Sequence, residues 1–113
     1  MDGLIIKKKW LDLILDGHKD LEIRGHNTKK RGVVALIESG SGFVRGEVEI
    51  FNSTPFDKKI QDVYDMHRLT DHQIKNLNYK NPYAWWLEYP VRYESPVPYV
   101  HPQGAVIWVK DVL

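Results

Sequence analysis

The sequence predicts a mainly β protein of the α+β class, built as a small β-barrel of about five or six strands with short flanking helices. Two observations favour this fold. Short runs rich in Val and Ile recur along the chain between Gly, Pro and Asn, whereas helical periodicity is confined to brief segments. Closing the strands into a barrel, fully or nearly, also removes exposed strand edges, which invite aggregation.

The composition fits one folded domain spanning residues 1–113. Of the 113 residues, 42% are hydrophobic and 27% are charged. The net charge of +1 means that binding to nucleic acid would need a local basic patch. The chain has no Cys, which excludes disulfides and cysteine metal sites. No apolar run approaches the roughly 20 residues of a membrane span, and no signal peptide is evident, so we expect a cytoplasmic protein without membrane contact.

The N-terminal half begins with a predicted strand at Leu4–Ile6. A helix follows from Trp10 to Asp16, because its apolar residues fall at helical spacing. Gly17 ends this helix, since glycine adopts the left-handed conformation at low cost. Val33–Glu38 and Phe43–Phe51 are then predicted to form an antiparallel hairpin across a Ser-Gly-Ser-Gly turn.

The returning strand of the hairpin and the segment after it carry two further signals. Gly46 interrupts the strand and indicates a bulge or a close backbone approach. Asn52–Pro55 breaks the strand pattern. Asp57–Met66 has helical spacing, and Thr70 with Gln73 has the form of a capping box, which predicts a short helix to about Leu77.

The C-terminal part is predicted to return to strands. Tyr83–Leu87 is aromatic and β-prone, and Ala105–Val109 has the composition of a final strand. Between them, Pro90–Pro102 is interpreted as packed irregular chain because it is rich in proline, tyrosine and valine.

The segment Lys19–Arg31 is the main candidate site. It alternates first, so Leu21 and Ile23 face one side of a strand while Asp20, Glu22 and Arg24 face the other. A basic loop, Asn27–Arg31, follows. An acid, a guanidinium and a basic loop so close together suggest a site, and the alternative is a half-buried strand with a solvated charged face.

The sequence bears on three kinds of chemistry. Lys19 and Glu22 form a candidate acid–base pair, or else an ordinary ion pair. Trp10 and Trp85 are candidates to stack on nucleic-acid bases, or else to fill the core. The five His residues have no metal-binding spacing, so no metal site is predicted.

Several of these segments together resemble the ASCH family of the PUA-like superfamily of β-barrels. The matching residues are Ile6-Lys7, Trp10, Ile14-Leu15, Gly17, Lys19, Glu22, Arg24, Lys30-Arg31-Gly32, Gly46-Glu47-Val48, Tyr83-Ala84-Trp85 and Gly104–Lys110. The resemblance spans nearly the whole chain and implies a stand-alone ASCH domain.

The resemblance implies that RNA, a nucleotide or a nucleoside binds in a cleft lined by the Gly-x-Lys-x-x-Glu-x-Arg motif. No cofactor is expected, and the oligomeric state stays open. The residues expected to bind the ligand are Lys9, Trp10, Lys19, Glu22, Arg24, Asn27, Thr28, Lys29, Lys30, Arg31 and Trp85.

Whether the chain is an enzyme is left open. One ASCH branch removes the acetyl group from acetylated cytidine with a Gly-x-Lys-x-x-Thr-x-Arg motif, and another is a ribonuclease. Lys19 and Arg24 match the first motif, but Glu22 replaces its threonine and has no hydroxyl, so that mechanism does not transfer. In an enzyme, Lys19 and Glu22 would be the catalytic residues.

Overall fold

The computed structural model describes residues 1–57 and 64–113 and is mainly β, as predicted. Its elements follow the chain in the order β1 (Gly3–Ile6), α1 (Lys8–Leu15), β2 (Leu21–Arg24), β3 (Gly32–Glu38), β4 (Phe43–Pro55), α2 (Tyr64–His67), α3 (Asp71–Lys75), β5 (Tyr83–Pro98) and β6 (Trp108–Val109). None of the helices in these two ranges is long and apolar enough to cross a membrane.

The strands form one sheet that curls into a half-barrel. Its order is β2-β5-β4-β3-β1-β6, in which β1 and β3 are parallel and the other neighbours are antiparallel. The described strands therefore leave β2 and β6 at the two ends of the sheet.

Helix α1 covers one face of this sheet. Its buried residues Leu11, Ile14 and Leu15 join a core cluster with side chains from β1, β3, β4 and β5. Burial of such side chains stabilises a fold by roughly 1.5–3 kcal/mol each, as an upper estimate. The helix ends as predicted, because Gly17 has a φ of +79°.

Strand β3 is buried on both faces and forms the predicted hairpin with β4. Val34 and Leu36 face the α1 cluster, whereas Ala35 and Ile37 join a second cluster with Val109. Alternate residues join different clusters because successive side chains of a strand point to opposite faces of the sheet. This arrangement explains why the segment is a nearly continuous apolar run in the sequence.

The prediction for Gly46 is confirmed. The pairing of β4 with β5 changes register between Val44 and Gly46. A Cβ placed on Gly46 would lie 2.3 Å from the carbonyl oxygen of Val91 and 2.8 Å from a methyl carbon of Leu15. The chain needs glycine here because β5 and α1 approach the backbone from two directions.

Three sequence-based strand boundaries were wrong, two of them in β4 and β5. Strand β4 continues through Asn52–Pro55, where it pairs with Tyr83–Trp86. Strand β5 continues to Pro98, so most of Pro90–Pro102 is not irregular chain. Beyond Trp86, the described strands flank β5 on one side only, and prolines are tolerated along such an open edge.

The third wrong boundary is that of the final strand, which is shorter than predicted. Only Trp108–Val109 of the predicted Ala105–Val109 is a strand, because β6 pairs with just two residues of the short β1, Gly3 and Leu4. One further backbone hydrogen bond, from the Ile5 amide to the Ile107 carbonyl, extends this contact.

The helical prediction for the middle of the chain is confirmed at its second helix. The Thr70 hydroxyl accepts from the Gln73 amide at 3.2 Å, and the Gln73 side chain accepts from the Thr70 amide at 2.9 Å, as a capping box requires. Helix α3 ends at Lys75. Of the predicted helix Asp57–Met66, residues 58–63 lie outside the described residues, and α2 begins at Tyr64.

Candidate functional site

Strand β2 is buried on both faces, so neither face is a solvated charged surface. Leu21 and Ile23 pack into a cluster with Leu69 and Ile74, which flank or belong to α3. Glu22, on the other face, is only 5% exposed. The interpretation of this strand as a half-buried element with a solvated acid is therefore wrong.

A buried carboxylate between two cations forms the centre of the site. Glu22 Oε1 lies 3.5 Å from Lys19 Nζ, and Glu22 Oε2 lies 2.9 Å from Arg24 Nη2. Arg24 Nε also donates to Glu22 Oε2 at 3.0 Å. With Lys19 protonated, the three side chains together carry one net positive charge, and the carboxylate faces both donors.

Lys19 is held by its surroundings as much as by Glu22. Its side chain is 1% exposed, and Nζ donates to the carbonyl of His67 and lies 5.0 Å from the centre of the Trp10 ring. Burial lowers the pKa of Lys19 below its usual value, although the Glu22 carboxylate opposes this shift. Lys19 therefore loses its proton more readily than an ordinary lysine does.

The Arg24 side chain connects strands β2 and β1, which are not neighbours in the sheet. Its Nη2 donates to the Ile5 carbonyl at 3.0 Å, which links β2 to β1 by a side chain. The guanidinium carbon lies 5.7 Å from the centre of the Trp85 ring. Arg24 thus closes the gap that backbone pairing leaves between β2 and β1.

Trp85 belongs to the core and supports Arg24. Its ring stacks on Trp108 at 5.9 Å with an interplanar angle of 13°, and its Nε1 donates to the His26 carbonyl at 3.0 Å. It is completely buried. Trp85 is consequently unavailable to stack on a ligand, contrary to the prediction.

A cleft of about 510 Å³ opens onto Lys19, Glu22 and Arg24. This volume lies within the range of small-molecule sites. Its lining combines charged and polar side chains with apolar and aromatic ones. The lining residues are Ile5, Ile6, Lys7, Trp10, Lys19, Glu22, Ile23, Arg24, Ser39, Leu69, His72, Gln73, Asn76, Leu77, Tyr79 and Val106.

Helix α3 and the residue after it supply a wall that the sequence analysis missed. His72 and Asn76 are four residues apart and line the cleft together. The Asn76 side-chain amide donates to the His72 carbonyl at 2.7 Å. The capping box fixed the start of this helix, and the four-residue spacing places both side chains on one face, but nothing local indicates that this face meets Lys19.

The basic loop Asn27–Arg31 does not line the cleft. Lys30 forms an ion pair with Asp2 and lies 4.7 Å from the centre of the Trp108 ring. Arg31 donates to the Thr28 and Lys30 carbonyls. Two cations of the loop are therefore engaged by the protein itself.

Of the other predicted ligand residues, Trp10 lines the cleft, whereas Asn27, Thr28, Lys29 and Lys9 lie outside it. Asn27 accepts a hydrogen bond from the Ser53 hydroxyl at 2.6 Å, and Thr28 is buried. Lys29 is exposed. Lys9 is exposed and lies 4.8 Å from the centre of the Trp10 ring, although Lys9 is not part of the cleft wall. Within residues 1–57 and 64–113, no three His, Asp or Glu side chains gather as metal ligands would.

Acid is expected to destabilise the fold through His67. Burial, and then the nearby Lys19 charge, lower the pKa of His67 below 6.5, and Nδ1 accepts from the Leu69 amide at 2.8 Å. The unfolded chain therefore binds a proton near pH 6.5 that the folded chain binds only at lower pH. The stabilisation is complete above about pH 6.5 and is lost as the pH falls.

Denaturant titrations at about pH 7.5 and about pH 5.5 measure this effect. We expect the wild type to lose more stability between the two pH values than His67→Gln does. Equal losses in the two proteins would show that His67 does not carry this pH dependence.

Solved structures of known proteins match this fold, although sequence comparisons do not find relatives. No protein-family model matches the sequence, and no curated protein matches it. A crystal structure of ASCH from Zymomonas mobilis superposes with a TM-score of 0.74 at 12% identity, covering 86% of this chain and 72% of that one. The chain has the fold of an ASCH domain.

Two variants of the same Zymomonas mobilis ASCH protein agree. Their TM-scores are 0.71 and 0.75 at 12% identity, and they cover 86% and 97% of this chain and 74% and 88% of their own. The ASCH fold implied by the sequence resemblance is therefore confirmed. At this identity the superposition concerns the fold alone.

Proposed function

We propose that this ASCH-fold chain binds a nucleoside or nucleotide unit, free or within RNA, in the cleft beside β2. The observation that carries the proposal is the buried Lys19–Glu22–Arg24 cluster in the wall of a cleft whose volume, about 510 Å³, lies in the range of small-molecule sites. Desolvated cations that are already oriented by a carboxylate bind an anionic or carbonyl group strongly.

Each part of the cleft suits a different part of such a ligand. Arg24 uses Nε and Nη2 for Glu22 and Ile5, whereas Nη1 has no hydrogen bond within the described part of the chain. Nη1 is therefore a donor left for the ligand. Trp10 and Tyr79 offer ring surface for a base, and Asn76 offers an amide that pairs with a base edge.

Both Glu22 oxygens already face cations, so we assign Glu22 to holding Lys19 and Arg24 in position. The sequence predicts that Glu22 binds the ligand directly, whereas in this proposal Glu22 acts through Lys19 and Arg24. The loop Asn27–Arg31 would meet only the extended part of an RNA, through exposed cations such as Lys29.

Titration of the four nucleoside monophosphates and of short RNA at low salt tests the proposal, with Trp fluorescence as the readout. Charge-assisted hydrogen bonds contribute about 1.5–3 kcal/mol, so Arg24→Met should weaken binding by about tenfold or more. The matched control Arg31→Met removes a guanidinium outside the cleft and should change mononucleotide affinity by less than about twofold. Absence of binding by the wild type to every ligand would refute the proposal.

A second candidate function, hydrolysis of an acylated nucleoside, is favoured by the lowered pKa of Lys19. The neutral amine would take a proton from water, whose oxygen adds to the acyl carbon. The carbon–nitrogen bond then breaks, and the proton passes to the leaving amine. Chromatographic assays with acylated nucleosides and a generic RNA test this candidate and the ribonuclease alternative. Turnover that Lys19→Met abolishes would support catalysis, and absence of turnover would leave binding alone.

A further inference from the structure

A second, smaller cavity adjoins the cleft. Its volume is about 350 Å³, and it shares the wall residues Ile5, Ser39 and Val106 with the cleft. The rest of its wall comes from the β3–β4 turn and from the segment between β5 and β6: Gly40, Gly42, Tyr99, His101 and Ala105. The two cavities therefore share part of their lining and lie next to each other.

The aromatic wall of the second cavity is fixed in place. The Tyr99 amide donates to the Gly42 carbonyl at 3.1 Å, which ties the segment to the turn. His101 Nε2 lies 2.9 Å from the Ala105 carbonyl oxygen, which can only accept, so Nε2 carries the proton. In the neutral imidazole, His101 Nδ1 then accepts from the Tyr99 hydroxyl, which lies 2.8 Å away.

These hydrogen bonds hold two rings rigid on a segment without regular structure. The Tyr99 and His101 rings lie 5.8 Å apart at 65°. His101 is exposed and Tyr99 is partly buried against the second core cluster. Ring surfaces that are already ordered are well suited to stack on a nucleic-acid base, because little entropy is lost on binding.

Ser39 lines both cavities, and Lys7 lines the cleft. The Ser39 amide donates to the Ile6 carbonyl at 2.9 Å, which places Ser39 beside Lys7. Lys7 lines the cleft, is exposed and forms no ion pair with the described residues. A lysine ammonium and a serine hydroxyl are both donors that proteins use for a phosphate.

We infer that the second cavity is a subsite for the nucleotide next to the one in the cleft. The ligand is then a single strand of at least two nucleotides, with its bridging phosphate at Lys7 and Ser39 and its second base on Tyr99 and His101. This inference rests on the proposed function, since it extends the ligand of the same cleft. It specifies a nucleic-acid strand as the ligand class, in preference to a free nucleoside.

A comparison of matched mononucleotides and dinucleotides tests the inference. Base stacking on an aromatic side chain predicts that the wild type binds dinucleotides about tenfold more tightly or better. Tyr99→Ala should remove most of this gain without changing mononucleotide affinity, and Lys7→Ala should reduce the gain and its salt dependence. Tyr99→Phe keeps the ring and should keep most of the gain, and Tyr89→Ala removes an exposed tyrosine that lines neither cavity and should keep all of it.

The outcomes separate the two proposals. Mononucleotide binding without a gain from the second nucleotide overturns the subsite and leaves the proposed function standing. A gain that survives in both Tyr99→Ala and Lys7→Ala places the second nucleotide elsewhere and also overturns the subsite. No binding of either ligand by the folded wild type overturns the proposed function together with the subsite. Circular dichroism on each variant establishes that it is folded.

Discussion

Glu22→Gln is expected to lower the free energy of unfolding at pH 7 by about 3–5 kcal/mol, the usual cost of breaking a buried ion pair on one side. The substitution keeps the shape of the side chain but removes its charge. Lys19 and Arg24 would then face each other across a neutral amide, with Lys19 almost completely buried. Chemical denaturation measures the loss.

The matched control is Glu38→Gln. Glu38 pairs with Arg45 at 3.4 Å, and the Arg45 side chain is 32% exposed, so this pair is better solvated. The free energy of unfolding of Glu38→Gln should fall by less than about 1 kcal/mol. Adding Lys19→Met to Glu22→Gln should recover part of the loss, because the buried charge that lost its partner is then absent. A loss of less than about 1 kcal/mol for Glu22→Gln alone would show that the cluster is solvated.

Gly46→Ala is expected to destabilise the protein by about 2–3 kcal/mol, at the upper end of what overpacking costs. The new methyl group would meet the Val91 carbonyl oxygen at 2.3 Å, and backbone moves less easily than a side-chain tip. Relief requires β5 to shift away from β4 beside an existing register change. Thermal and chemical denaturation both report this loss.

Gly42→Ala is the control for this substitution. Gly42 has a φ of +78°, but a Cβ there would meet no atom of the described residues within 4 Å. Its cost is therefore purely conformational, about 1–2 kcal/mol. If Gly46→Ala costs less than Gly42→Ala, the close approach of β5 is not the reason for glycine at position 46.

Local signals in the sequence were sufficient for several elements. The first helix, the β3–β4 hairpin and the capping box at Thr70 were all predicted, because each depends on residues that are near one another in the chain. The extent of β5 was not. It depends on pairing with β4 over most of its length, and only the tertiary arrangement shows that its prolines lie along an open edge.

The candidate site was predicted in its charged centre and missed in its surroundings. Lys19, Glu22 and Arg24 are close in sequence, so their proximity follows from β2 and the residues before it. The burial of Glu22 and the cleft wall from His72 and Asn76 depend on tertiary packing. Trp85 illustrates the same limit. An aromatic residue on a strand can lie in the core or at the surface, and only its tertiary contacts show which.

The most direct test is an NMR titration of the isotopically labelled protein with a nucleoside monophosphate and then a dinucleotide. Binding in the cleft predicts saturable shifts of the Trp10 indole, the Asn76 side-chain amide and the Arg24 Nε–H signal, with Tyr99 and His101 shifting further for the dinucleotide. Shifts confined to the loop Asn27–Arg31, or no saturable shifts with either ligand, would contradict the assignment of the cleft as the binding site.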